Sequence, residues 1–477
     1  MDITAFLSAD KSIVLAPAGY GKTYTIAEVL AAYQGSKKIL VLTHTHAGIA
    51  SLKEKFDQKQ IPSSLYVLET ICSFALNLTK TYHVAKEEIP PESDVNSLFK
   101  YSIEHAATIL KANPIKHLIE SQYDHLIVDE YQDCSVAQHQ MILELSSSVK
   151  THLLGDPLQG IFGFRDESIV DFDDESFNPF KTNCQSLDTP WRWINAGNAL
   201  LGEDLASIRE RLLAGLDIDI RNYSAVDVII GNKNDYAIPG TAYKRAIYGE
   251  LINDAILIHP NNTSVNLRKN FVKQFNQLQI IESIDDRDYY KWCHMFDQHS
   301  GMQLIKDVAD LLRDVGSKTI VNTLIKEDGT FKNKQKQEDR VIIQSLVPYT
   351  ISLINNKTYK SIVQLIEMIK TLLNVTIYRK EFYRDICQIL YEADTLGLTS
   401  SESLLRNRNL LRRKGRKVIK KSIGTTLLTK GLEFDHVVVL NAQDYKDPRH
   451  LYVALTRSCK KLVVITDNPI LHPYPNN

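Results

Sequence analysis

At 477 residues, 44% of them apolar, the chain has the material for two or three domains, because single cores rarely grow past about 250–300 residues. Basic and acidic side chains number 56 and 57, which excludes a global electrostatic pull toward polyanions and leaves any nucleic-acid footprint to be local. The six cysteines form no C-x-x-C pair, so neither a zinc or iron–sulfur site nor a disulfide framework is expected, and a reducing compartment is implied.

Along the chain, residues 1–11 lack a basic start followed by a long apolar stretch, which gives no secretory signal. No later run approaches the ~18–20 apolar residues that cross a bilayer, so a cytoplasmic protein with no membrane association is expected. The first ~50 residues read as strand (Ser12–Leu15), Gly-containing loop, helix (Thr23–Ala32) and strand (Lys38–Thr43). The loop Ala16-Pro17-Ala18-Gly19-Tyr20-Gly21-Lys22-Thr23 has the context of a phosphate-binding loop. Its N–H groups and the helix N-terminus would cradle phosphate oxygens. Lys22 would reach the β- and γ-phosphates and the Thr23 hydroxyl would help to hold Mg²⁺. Ala16 stands where the first glycine of such loops usually lies.

A mainly helical stretch, about residues 76–122, is punctuated by Pro90, Pro91 and Pro114. A buried strand, His125–Val128, then runs directly into Asp129 and Glu130. Carboxylates at the end of a parallel strand lie where such sheets bind ligands. Asp129 suits Mg²⁺, and Glu130 suits the base that orients or deprotonates an attacking water. Another strand, His152–Leu154, precedes Gly155-Asp156-Pro157-Leu158-Gln159 and the aromatics Phe162 and Phe164, beside Arg165. These rings are either stacking platforms for bases or core residues. His44 and His46 have no partner cluster that would make them metal ligands.

Strand patterns return at Ala255–Ile258, Val437–Leu440 and Leu462–Ile465. Between them the periodicity predicts helices at Met302–Val315, Val341–Asn355, Tyr359–Leu373 and Glu381–Leu396. The basic run Arg406, Arg408, Arg412, Arg413, Lys414, Arg416, Lys417, Lys420 and Lys421 contains no acid, and reads equally as a phosphate contact or a solvated linker. The predicted fold class is α/β, with parallel sheets covered on both faces and helical insertions. A phosphate-binding loop also needs cationic donors for the charge growing on the transferred phosphoryl group. An arginine there is worth about 10³–10⁵ in rate, or roughly 4–7 kcal/mol. Arg192, in Thr189-Pro190-Trp191-Arg192, and Arg457, in Tyr452-Val453-Ala454-Leu455-Thr456-Arg457, are the candidates.

The box Asp129-Glu130-Tyr131-Gln132-Asp133 resembles that of UvrD-like superfamily 1 DNA helicases, and the likeness extends in order along the chain. Thr43-His44-Thr45-His46-Ala47 and Thr70-Ile71-Cys72-Ser73-Phe74 are similar to the family's DNA-gripping elements. Residues 155–165 look like its third motif, in which Gln159 would sense γ-phosphate and Phe162, Phe164 and Arg165 would meet DNA. Arg192 falls in the fourth motif, with Trp191 in place of a tyrosine, and Arg457 in the sixth. In Thr429-Lys430-Gly431-Leu432-Glu433-Phe434, similar to the fifth, Glu433 and Gly431 would approach the nucleotide while Thr429 and Lys430 touch DNA.

The resemblance implies two RecA-like domains: 1–184, with the insertion at about 76–122, and 185–284 joined to 422–477. Residues 285–421 are a helical insertion without a match. It further implies ATP and Mg²⁺ as cofactors, a nucleotide held between the domains, and 3′-to-5′ movement on single-stranded DNA. No counterpart of the family's adenine-reading glutamine precedes Lys11. By size and motif layout the chain also resembles the helicase subunit of Gabija-type antiphage systems. That likeness implies a nuclease partner, and a second role as a DNA-activated sensing subunit with little unwinding of its own.

Overall fold

The computed structural model describes residues 1–83, 88–90, 95–161, 168–283, 287–414 and 418–475, apart from the side chains of residues 95, 96 and 411–414. The first sheet is built from β1 (Lys11–Leu15), β2 (Lys38–Thr43), β3 (Tyr66–Thr70), β4 (Tyr123–Val128), β5 (Lys150–Gly155) and β6 (Cys184–Ser186). Their order is β3-β2-β4-β5-β1-β6, and every pairing is parallel. Parallel strands need crossovers, and the helices that supply them cover both faces. Leu40, Leu42, Leu126 and Val128 accordingly pack with Ile71, Met141 and Ile142 on one side, while Ile39, Val41 and Ile127 are buried on the other.

Further along come β7 (Ile218–Asp219), β8 (Val226–Ile230), β9 (Ile256–His259), β10 (Gln279–Ile280), β11 (Ser422–Thr425), β12 (Phe434–Val439), β13 (Ser458–Thr466) and β14 (Ile470–Leu471). Six of these form a second sheet ordered β10-β11-β9-β12-β13-β8, and β7 pairs with β14 in a short antiparallel ribbon. The α/β class with two parallel sheets is therefore as expected. Seven strands, β3, β6, β7, β8, β10, β11 and β14, are not expected from the sequence. β6 and β10 are only three and two residues long, and β3 is half-exposed along most of its length, so none of these three shows a sustained apolar run.

The described chain divides into two compact units. One takes in Met1–Asn232 and Thr429–Asn477, and the other is built on Lys233–Arg412 with Arg416–Leu428. In the second unit seven helices run between Arg287 and Lys414. The four predicted there are observed within a few residues, as Gly301–Val315, Gln337–Asn355, Tyr359–Leu372 and Lys380–Leu396. Their apolar faces meet in one cluster that includes Trp292, Phe296, Leu311, Leu365, Ile386 and Leu390.

The basic run does not form one exposed face. Arg408 is buried, its guanidinium 4.0 Å from the Tyr289 ring centre, and Lys420 and Lys421 lie 3.2 and 3.7 Å from Asp254. Arg406 is exposed, and the side chains of residues 412–417 lie outside the described set.

Candidate nucleotide site

Every strand of the first sheet points the same way, so the segments that follow β1, β4 and β5, three adjacent strands, emerge along one edge. After β1, the Ala16 N–H still donates to the Gly155 carbonyl at 3.0 Å, and the chain then curls through Gly19 (φ +77°) and Gly21 (φ +88°) into the helix Lys22–Ala32. Both glycines occupy the left-handed region that other residues enter at a cost. Gly19 is also tightly enclosed: an added Cβ would lie 2.8 Å from Arg192 Cβ and 2.9 Å from Trp193 Cζ3. Lys22 is buried and donates to the Ala16 carbonyl at 3.0 Å, closing the loop on itself.

After β4, the Asp129 N–H makes a last ladder bond to Leu42 O (2.8 Å), and Glu130 turns the chain at φ +54°. A capping box between Ser135 and Gln138 then opens the next helix. The two carboxylates diverge. Burial and the neighbouring Glu130 charge raise the Asp129 pKa. Burial also works against Glu130, but Lys22 and Lys430, with the Gln132 hydrogen bond and His44 adding to them, together outweigh it and hold Glu130 below its ordinary range. The Gln132 amide donates to the Glu130 carboxylate.

After β5, Asp156 is fully buried. Its Oδ2 accepts from Gln159 Nε2 at 2.9 Å, and its N–H donates to Gln132 Oε1 at 3.0 Å. Arg209 NH2 approaches Asp156 Oδ1 at 3.0 Å. Lys430 is almost wholly enclosed, 2.6 Å from Asp133 Oδ2, and donates to the Gln159 carbonyl at 2.5 Å. Burial lowers its pKa in spite of the Asp133 carboxylate. His44 lies in the same cluster, its Nε2 3.4 Å from Cys134 Sγ. Burial, with Lys430 adding to it, lowers the His44 pKa to about 4, which leaves a neutral imidazole.

The two arginines differ in placement. The Arg192 N–H donates to the Gly19 carbonyl at 3.0 Å, at the rim of the phosphate-binding loop. Its guanidinium bonds the Thr456 carbonyl and Glu433 Oε1, each at 2.6 Å, and its Nε is buried without a partner. Arg457 is held by the helix end that precedes it and by the turn before β12, donating to Val453 O, Leu432 O and Thr456 Oγ1 at 2.9–3.1 Å. Burial and the nearby Arg192 lower the Arg457 pKa to about 10. Gly431, at φ +77°, turns the chain between Lys430 and Glu433.

Residues expected at DNA separate into groups. Thr45 caps the helix His46–Gln58 by accepting from the Gly48 N–H, and Thr70 caps Ile71–Tyr82 by accepting from the Ser73 N–H. These helix starts follow β2 and β3, which are neighbours, so two helix N-termini emerge along one edge. Thr45 and His46 are exposed there, and Ser73 is half-buried.

Four members of the set are placed differently from the expectation. Phe74 is a core residue, 8% exposed and packed in the first sheet's cluster, because its helix turns that face inward. Thr43 and Thr429 are buried, and Lys430 is held by Asp133. Phe162, Phe164 and Arg165 lie outside the described residues.

The donor set fits Mg²⁺. Thr23 stands in the first turn of the helix next to Lys22, whose ammonium acts on a buried carboxylate, Asp129; burial disfavours the charge of Asp129, and a divalent cation there would relieve that cost. Among the described residues no group of three or more His, Cys, Asp or Glu side chains forms an all-protein cage. No helix among them is long and apolar enough to cross a membrane. Trp191, which the sequence marks only as a replaced tyrosine, stands half-exposed, its Cδ1 3.4 Å from where a Gly21 Cβ would lie. Asp156 and Gln132 sit inside motifs without an expected role of their own, whereas Arg209 occupies an ordinary amphipathic helix that carries no motif signal.

Residues 2–165 match a protein-family model described as AAA domain. Over 394 residues the chain is 24% identical to the Gabija protein GajB of Bacillus cereus (strain VD045), an alignment spanning 79% of this chain and 70% of that protein. Over 169 residues it is 28% identical to the exonuclease/helicase subunit RexA of Lactococcus lactis subsp. cremoris (strain MG1363), covering 34% of this chain and 13% of that protein. Among solved structures, the Pif1 helicase from Candida albicans aligns over 98% of this chain and 93% of that chain, with 11% identity and a TM-score of 0.38.

Proposed function

We propose that this helicase-type ATPase, similar to UvrD-like superfamily 1 helicases and more loosely to the Gabija helicase subunit, hydrolyses ATP to move 3′-to-5′ along single-stranded DNA. The observation that carries the proposal is a connected set within a single unit: Lys22 acts on Asp129 and Glu130, Gln132 links Glu130 to Asp156 and so to Gln159, and Arg192, bonded to Glu433, donates to the loop at Gly19. Lys22 exchanges the Ala16 carbonyl for phosphate oxygens. Glu130, ionised and oriented by Gln132, accepts a hydrogen bond from the attacking water. The Gln159 amide, held by Asp156, faces the γ-phosphate. Arg192, at the loop rim, neutralises charge that develops on the transferred group. Arg457 joins it once released from its backbone partners. Thr23 and Asp129 would hold Mg²⁺, which would supply charge neutralisation for the nucleotide's phosphates.

The paired helix starts that present Thr45, His46 and Ser73 suit a DNA backbone, since helix N-termini favour phosphate. Phe162, Phe164 and Arg165 complete the DNA track in this reading, and the two sheets serve as the two RecA-like domains. To test it, ATP hydrolysis by the purified chain is measured with and without single-stranded DNA, beside displacement of a strand from a 3′-tailed duplex. DNA-stimulated turnover with displacement is expected, and Lys22→Ala should abolish both.

A second reading is favoured by the likeness to GajB across 79% of this chain. The chain would then be the DNA-activated ATPase subunit of a nuclease-containing defence complex in the cytoplasm. DNA-stimulated turnover without displacement selects this alternative and removes the autonomous helicase.

A further inference from the structure

Asp156 is the hub of a buried polar chain whose cation comes from outside every recognised motif. Its Oδ1 accepts from the Leu158 N–H (3.2 Å) and from Arg209 NH2 (3.0 Å), while its Oδ2 holds the Gln159 amide at 2.9 Å. Its own N–H holds Gln132, whose amide reaches Glu130. A carboxylate with no solvent exposure needs a compensating charge, and Arg209 supplies it. Arg209 is itself mostly enclosed, at 16% side-chain exposure, and its Nε is buried without a hydrogen-bond partner. Burial works against its charge, but the Asp156 carboxylate, with Tyr452 and Tyr20 adding to it, more than offsets this, so its pKa is raised. The helix that carries Arg209, Ala199–Leu213, follows closely on the short helix Trp191–Asn195 that sets Arg192 at the phosphate-binding loop.

We infer that Arg209 is a positioning residue for hydrolysis: by fixing Asp156 it fixes the Gln159 amide directly and the Glu130 carboxylate through Gln132. The inference rests on the ATPase reading above. A plain structural ion pair would account for the burial of Arg209 alone. It would not predict that both branches leaving Asp156 end on the two side chains assigned to the γ-phosphate and to water. Loss of the guanidinium frees the Asp156 carboxylate to rotate or draw in water, and the Gln159 amide moves with it. The ground-state phosphate contacts of Lys22 are untouched, so the defect falls on kcat rather than on KM.

The test is steady-state ATP hydrolysis with single-stranded DNA for Arg209→Met and Arg209→Lys, each alone and combined with Gln159→Ala. Arg209→Met should lower kcat by about 10-fold or more, since small misplacements of catalytic groups cost up to ~10²-fold, while KM for ATP stays within about twofold. Arg209→Lys should recover part of the loss, because an ammonium still neutralises Asp156. Gln159→Ala should add little to Arg209→Met, since the amide it removes is already misplaced. Unchanged kcat in the Arg209 variants, or full multiplication of the two defects, overturns the inference even if melting temperature falls. Should Arg209→Met fail to fold, Arg209→Lys decides: a kcat lowered severalfold supports the inference, and an unaltered kcat overturns it. These outcomes presuppose an unaltered chain that hydrolyses ATP and a Lys22→Ala variant that does not. Absence of hydrolysis in the unaltered chain overturns the ATPase reading, and the inference with it.

Discussion

Glu130 combines a left-handed backbone, a carboxylate held ionised by Lys22 and Lys430, and a hydrogen bond from the Gln132 amide. Removing its charge while keeping its shape isolates the chemical step. Glu130→Gln is expected to lower kcat by about 10²–10⁴-fold while nucleotide binding persists, read by single-turnover hydrolysis beside equilibrium binding of a fluorescent ATP analogue. Near-normal turnover would remove Glu130 from its role. Trp191 calls for a different readout. Its half-exposed indole beside Gly21 offers a face on which the base of a bound nucleotide can stack. Base–aromatic stacking is worth ~1–3 kcal/mol, so Trp191→Ala should raise KM for ATP by about 5- to 100-fold with kcat less affected. A fall in kcat alone would place Trp191 outside the binding face. The positions of Lys22, Asp129, Glu130 and Gln159 just after β1, β4 and β5 are legible in the sequence because their spacing follows strand ends. Trp191 and Arg209 are not, because their value comes from neighbours far away in the chain.

At the scale of elements, β1, β4 and β5 carry an internal polar line that their apolar sequences conceal. Ser12 Oγ lies 2.7 Å from His152 Nδ1, and His152 Nε2 lies 2.9 Å from His125 Nδ1. Burial lowers His125 to about 4 and His152 well below its ordinary value; Lys150 adds to both shifts, and His125 adds to that of His152. Unfolding returns both rings to about 6.5, so the unfolded chain binds more protons between those values. The stability these neutral histidines contribute is complete above pH ~6.5 and lost as pH falls toward 4. The melting temperature should therefore drop by several degrees, about 2–4 °C for each kcal/mol in a unit of this size, between pH 7 and 5. His125→Gln should flatten that slope, and an equal slope in both proteins would remove the histidine pair as its source.

Both histidines are placed on strands by the sequence, but their meeting depends on strand order. β5 lies between β1 and β4 although β1 is first in the chain. Strand order is set by the crossovers that close the sheet, and no local pattern records it.

For the molecule as a whole, the helices without motifs have a role of their own in the second unit. Arg379 is fully buried there, forked onto Glu282 at 2.8 and 2.9 Å and in contact with Asp288 at 2.6 Å, and Lys269 pairs with the adjoining Asp314 at 2.7 Å. The fork ties the helix Lys380–Leu396 to the segment that follows β10 and to the helix Arg287–Gln298. Arg379→Met would leave Glu282 buried without its cation, a change that typically costs about 3–5 kcal/mol. The expected result is unfolding of this unit at distinctly lower urea concentration, followed by limited proteolysis within residues 287–414. An unchanged urea midpoint would show that the fork is dispensable.

Read locally, the chain carries the pattern of a phosphate-binding loop, an acidic strand end, a glutamine after β5 and two arginines, in an order that resembles the helicase family's. Each is a short-range pattern, fixed because backbone turns and strand ends demand particular residues within a few positions. Only the tertiary structure decided which side chains surround those groups. It buried Phe74 and Thr43, drew Lys430 onto Asp133, brought Leu432 against Arg457, and set Arg209 on Asp156, which holds the Gln159 amide. Those placements depend on contacts between residues tens to hundreds of positions apart. They follow from sheet order and the need of each buried charge for a partner, which no local spacing encodes.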